Sequence, residues 1–396
     1  MRSSQFRRAG ITVLAIGAAA TMAACSSTPT GDSSGSATPA GARVAVSYEG
    51  GLRVLDAATL DTVADFDSEE YTRLNLAGDG RDVMVTTSEG FQVLDTGAGT
   101  PQEPELTDTL FAANKPGHVV RHAGKTVLYA DGTSDTTIFD TAALASADGM
   151  PETTTIPGVE AHHGVSIVLE DGNFLTTVGN ANGRTGIEVR GADGAVIDQN
   201  DQCPGVHGEG AAQNEVVVFG CENGALIYDG GEMTKLDAPD QPYGRMGNAY
   251  ASETSPLIVG DYKDDADAEG LLLGAVTVID TEAKTLDVVD LPEDVEYTWR
   301  GVARGPADLA YIIGSDGAVH VFDPKTRTVT NSYPVIAAWE GPAVYQDPHP
   351  GISIAGNVAY VTEPATNSIH SVDLTTGDVI TSKELDVTPN EFVVTD

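Results

Sequence analysis

Five of the eight histidines in this chain stand in short motifs bearing glycine or proline: His118 in KPGHVV, His162 and His163 in EAHHGVS, His207 in CPGVHGEG and His349 in DPHPGIS. Neutral imidazoles with a carboxylate among them form the donor set of a tetrahedral zinc site, three or four protein atoms lying about 2.0–2.2 Å from the ion. Glu209 lies two residues beyond His207, on the same side of an extended chain, where it would ligate directly or orient an imidazole. His122 lies four residues beyond His118, on the same side but deeper or at the far end, and is a candidate ligand of a second site. His320 in VHVFD and His370 in IHSVD hold one position of adjacent repeats, as structural residues do. Residues this far apart in sequence share an ion only if a scaffold gathers them.

One phrase recurs along the chain: a β-rich run, a glycine-containing turn, then a second run ending in Asp and a polar turn. The second runs end at Asp56, Asp95, Asp140, Arg190, Asp229, Asp280, Asp323 and Asp373, spaced 39 to 51 residues apart, as the blades of a four-stranded propeller are. Helical periodicity is nearly absent, with 141–147 alone suited to a short helix, so the chain reads as all-β. An eight-bladed β-propeller is expected over residues 43–396, closed by the run EFVVT at Glu391 to Thr395 supplying the innermost strand of the first blade. Seven blades are the alternative, should the irregular unit at Arg190 merge with a neighbour.

In a propeller the loop entering the innermost strand and the loop between the second and third strands share a face. His118, His162, His163, His207 and His349 all fall where an innermost strand begins, so they crowd one mouth of the central channel. The b-to-c loop Asp261 to Glu269 lies on that face too, and reads either as a solvated insertion or as a cation-gathering arm. It lacks the glycine position and ligand spacing of an EF-hand.

The front end reads as an export signal followed by a tether. Arg2, Arg7 and Arg8, the apolar run Ile11 to Ala20 and small residues before Cys25 read as a lipoprotein signal peptide over 1–24, with Cys25 the lipidated first residue. Residues 25–42 form a flexible tether, so the domain is expected outside the cytoplasm, on the membrane through its lipid alone. Loss of the three leader arginines leaves 18 of the 21 basic residues against 59 acidic ones. A field of that sign repels nucleic acid and draws in cations. Cys203 and Cys221 remain as an even pair in an exported chain and read as a disulfide.

Taken together, EAHHGVS, CPGVHGEG and DPHPGISIAGNVAYVTEPATNSIHSVDL resemble the periplasmic or surface zinc metallochaperones of the AztD type, over the repeat body from about Arg43 to Asp396. The resemblance implies a β-propeller with high-affinity zinc sites that hands zinc to the solute-binding protein of an ATP-binding cassette importer. It matches most plainly at His162, His163, His207 and Glu209, and less distinctively at His118 and His349. The chain departs from it in having no histidine-rich flexible segment, for which the acidic loop is the candidate substitute. A monomer without catalytic activity is expected. The competing classes are a metal-free cell-surface interaction propeller, and a lyase, hydrolase or quinoprotein-like enzyme; quinoproteins resemble chains with a vicinal disulfide and repeated tryptophan motifs, both missing here. Histidine ligation predicts weaker metal binding below about pH 6.

Overall fold

The computed structural model describes residues 39, 41–146 and 149–395; the leader, Cys25 and nearly all of the tether lie outside the described residues. Eight antiparallel sheets follow one another along the chain. The second to eighth blades open with the innermost strands Arg73–Leu76, Pro116–His122, Ser166–Val168, His207–Ala211, Ala249–Tyr250, Val302–Arg304 and Ile352–Ala355. The fourth blade is complete, its strands Ser166–Val168, Phe174–Asn180, Gly183–Arg190 and Val196–Asn200 pairing in order, which removes the seven-bladed alternative.

The strand sequences follow from this layering. A middle strand is covered on both sides by neighbouring blades, so Leu257–Tyr262 is buried at every residue and reads as an unbroken β-prone run. Outer strands meet water, and Val379–Glu384 alternates accordingly. The core therefore lies between blades: Val127 of the third, Ile167 and Leu175 of the fourth and Phe219 of the fifth share one cluster. The recurrent Asp caps a turn, since Asp56 Oδ1 accepts the backbone N–H of Ala58 and Thr59, and Asp280 Oδ1 those of Glu282 and Ala283. The unit that ends in Arg190 lacks this cap, which is why it looked irregular.

The ring closes as expected. Phe392–Val394 pairs antiparallel with Arg43–Tyr48 as the innermost strand of the first blade. The expected helix is a 3-10 segment, Thr141–Ser146. No helix among the described residues is long and apolar enough to cross a membrane.

Candidate metal centre

Three successive innermost strands deliver three imidazoles to one point. His118 lies in Pro116–His122, His163 three residues ahead of Ser166–Val168, and His207 opens His207–Ala211. Strand register slips between Pro116 and Val119 and between His207 and Glu209. Such irregularities re-aim side chains, and here they stand at two of the three histidines. The ring centroids are 5.1 Å apart for His118 and His163, 5.0 Å for His118 and His207, and 5.0 Å for His163 and His207. One nitrogen from each lies within 4.8 Å of the others, and among the described residues this is the single such group of three metal-capable side chains.

Proton bookkeeping shows what the group is shaped for. His207 Nδ1 lies 2.6 Å from the carbonyl oxygen of Gly247, an acceptor alone, so Nδ1 carries the proton. His163 Nδ1 donates to Asp131 Oδ2 at 2.6 Å. Both Nε2 atoms then present lone pairs, and they face each other at 2.9 Å. At that distance something positive belongs between them, a proton in an N–H···N hydrogen bond or a metal ion that takes its place. A tetrahedral ion with bonds of about 2.0–2.1 Å separates its ligand nitrogens by about 3.3 Å, a small outward adjustment. The donor set fits zinc.

Behind the triad a supporting shell holds the tautomers of His163 and His207. Asp131, in the b-to-c loop of the third blade, approaches closely because Gly117 has no side chain; a Cβ there would meet Asp131 Oδ1 at 2.3 Å. Gly208, at φ +48°, admits the Gly247 carbonyl in the same way, a Cβ there meeting its oxygen at 2.3 Å. The Gly247–Asn248 segment is fixed in turn by the buried carboxylate of Asp261, which accepts both backbone N–H groups and the Asn248 side-chain amide. Asp131→Asn is expected to weaken zinc binding about 10- to 100-fold, measured by competition with a chromogenic chelator, with the unfolding temperature little changed.

Burial pushes the His118 imidazole well below its usual pKa, and His207, His163, Arg73 and Arg184 add their charge to that push. Burial also lowers His207 to about 3, outweighing the Gly247 carbonyl that favours the charged ring. Both are therefore neutral at physiological pH, the form that ligates.

The other candidates lie elsewhere. His162 turns into the seam between the third and fourth blades, where Nδ1 donates to the Glu160 carbonyl at 2.8 Å and Nε2 accepts from the Tyr129 hydroxyl at 3.0 Å. Glu209 sits one pleat further along its strand than His207, outside the group of three, and burial raises its carboxyl to about 8, so it keeps its proton near neutrality. His349 is 2% exposed beside Arg300 in the eighth-blade region, Nδ1 donating to the Asp347 carbonyl, and burial lowers it to about 4. His122 is at the far end of its strand, with Glu215 Oε1 at 2.7 Å and Glu253 Oε1 at 3.7 Å. The acidic stretch divides: Asp261 is buried in the supporting shell, while 264–269 are exposed. Sequence reasoning missed Asp131, although its b-to-c loop placed it on the histidine face; Gly247 left no signal, because a backbone carbonyl belongs to every residue.

Cys203 and Cys221 form a disulfide with Cα atoms 4.9 Å apart. It ties the segment entering the His207 strand to the neighbouring strand, where Gly220 pairs with His207. Replacing both cysteines by alanine is expected to lower the unfolding free energy by about 3 kcal/mol in denaturant titrations.

No family model matches the chain. It is 23% identical over 345 residues to the zinc chaperone AztD of Citrobacter koseri, covering 82% of this chain and 79% of that protein. The apo structure of Citrobacter koseri AztD superposes with a TM-score of 0.74 at 22% identity, over 89% of this chain and 97% of that one. A second crystal structure of Citrobacter koseri AztD gives 0.75 at 21% identity, over 89% and 96%. The dihydro-heme d1 dehydrogenase NirN is a more distant neighbour, at 0.57 and 12% identity over 88% of this chain and 74% of that one. The fold is thus shared with these proteins, and the resemblance read from the motifs is borne out.

Proposed function

We propose that this protein is an extracytoplasmic zinc metallochaperone, held at the membrane by lipid on Cys25, that carries zinc on His118, His163 and His207 and passes it to the solute-binding protein of an ATP-binding cassette importer. The observation that carries this reading is the convergence of one nitrogen each from His118, His163 and His207 within 4.8 Å, with the Nδ1 atoms of His163 and His207 engaged by Asp131 and the Gly247 carbonyl. Likeness to a protein named a zinc chaperone supports it. The role is carriage by a monomer, not catalysis. His162 and His349 then serve packing, Glu209 stays outside the triad, and His122 stays a second-site candidate at the opposite end of its strand.

Three protein nitrogens leave one position of a tetrahedral ion open. An incoming donor from the receiving protein can bind there before any histidine leaves, so transfer proceeds by stepwise exchange without free ion. Equilibrium dialysis of the mature protein with zinc, followed by mixing with the solute-binding protein under a fast chelator, tests this. Tight binding with transfer unaffected by the chelator supports it; weak binding, or transfer that the chelator intercepts, rejects it.

The pH dependence is revised by the burial of two ligands. Protons compete with zinc for a nitrogen only below that group's pKa, and for His207 this lies near 3 and for His118 well below 6.5. His207 is expected to contribute no loss of affinity between pH 7 and pH 5, and His118 less than an ordinary imidazole would. Zinc competition titrations across that range check this; a decline of two logarithmic units per pH unit from pH 6.5 would contradict it.

A further inference from the structure

Acidic residues outnumber basic ones 59 to 21 in this chain, yet arginines gather round the histidine triad. Arg184 Nη1 donates to the carbonyl oxygen of His163 at 3.5 Å. Arg245 Nη1 donates to the carbonyl of Gly205, two residues before His207, at 3.2 Å. Arg73 stacks 4.9 Å over the Trp299 ring, and Trp299, Arg245 and His207 line one cavity of about 190 Å³. Among the described residues Arg184 is half-buried and has no carboxylate within ion-pair distance, and Arg245 has only Glu222, at 3.7 Å. Glu222 and Asp131 act on Arg184 only from beyond ion-pair distance, while burial and the neighbouring Arg245 disfavour its charge, and a divalent cation on the triad adds to that repulsion.

An anion at the open coordination position resolves both conflicts. It would give the ion its fourth donor, an oxygen beside three nitrogens, and would accept hydrogen bonds from planar guanidinium groups, whose five N–H donors suit a carboxylate. We propose that the site binds zinc together with a carboxylate, one oxygen on the metal and the other received by Arg184 and Arg245, with Arg73 across the mouth. This rests on the triad as the zinc site. The carboxylate is either a small free anion or a glutamate or aspartate side chain of the receiving protein.

The test uses cobalt(II), whose visible absorption reports its ligands, on the full-length protein in a non-coordinating buffer. Acetate is expected to change the visible bands saturably, and Arg184→Gln and Arg245→Gln to weaken that response about tenfold each with cobalt still bound, as loss of a charge-assisted hydrogen bond does. Arg327→Gln, on an outer strand connection and paired with Asp287, serves as the control that leaves the response unchanged. Bands indifferent to acetate at high millimolar concentration, or an equal response in the arginine variants, overturn the proposal. Failure of cobalt and zinc to bind at all overturns the triad assignment instead. Blocked glutamate in place of acetate separates the sources: stronger binding than acetate assigns the receiving protein's side chain, and weaker binding assigns a free anion.

Discussion

His163→Ala abolishes high-affinity zinc binding, with an expected loss of about a hundred- to a thousandfold, whereas His162→Ala changes it less than about threefold. The first figure follows from dividing the roughly 10–16 kcal/mol of a zinc site among four donors, which gives about 2.5–4 kcal/mol for each. His118→Ala and His207→Ala should match it, since each removes one nitrogen of the same group. The second figure follows from geometry: the His162 ring is occupied by Glu160, Tyr129, Ser134 and Thr177. Its loss should appear as about 1–3 kcal/mol of stability, from buried partners left unsatisfied. Isothermal titration of the two neighbouring variants, with thermal unfolding alongside, separates a ligand from a structural histidine. Equal zinc losses in both variants would remove the triad assignment.

Deleting residues 391–396 prevents cooperative folding of the ring. The segment supplies Phe392–Val394, the innermost strand of the first blade, and Val394 belongs to the cluster that joins the first and eighth blades. It also carries Glu391, 7% exposed, whose carboxylate receives Arg300 at 3.0 Å, Arg73 at 3.4 Å and the Tyr71 hydroxyl at 3.1 Å. Burial of Val394 contributes about 1.5–3 kcal/mol, the partly buried Phe392 adds less, and removing one partner from a buried ion pair costs about 3–5 kcal/mol. Together these rival the roughly 5–15 kcal/mol by which domains are stable. Loss of the sharp calorimetric transition is the expected readout, and a truncated chain that still melted cooperatively within a few degrees of the intact one would show the ring closed by other contacts.

The architecture was legible in the sequence because its signals are local. A buried middle strand must be apolar throughout, an Asp at the strand end caps the next turn within three residues, and the repeat of both along the chain counts the blades. The face on which the histidines lie followed from the same counting, as did the orphan strand near Glu391. Which histidines meet was a different matter. His162 and His163 are adjacent, share one motif and are indistinguishable by spacing, yet successive residues of an extended chain point to opposite sides. The seam formed by Tyr129 and Thr177 took one, and the channel received the other. Asp131, Gly247 and Asp261 act on the triad across blades, through a carboxylate, a carbonyl and two close approaches at glycine. Such partners are set by the distance between strands after the ring has closed, a quantity that only the folded chain possesses.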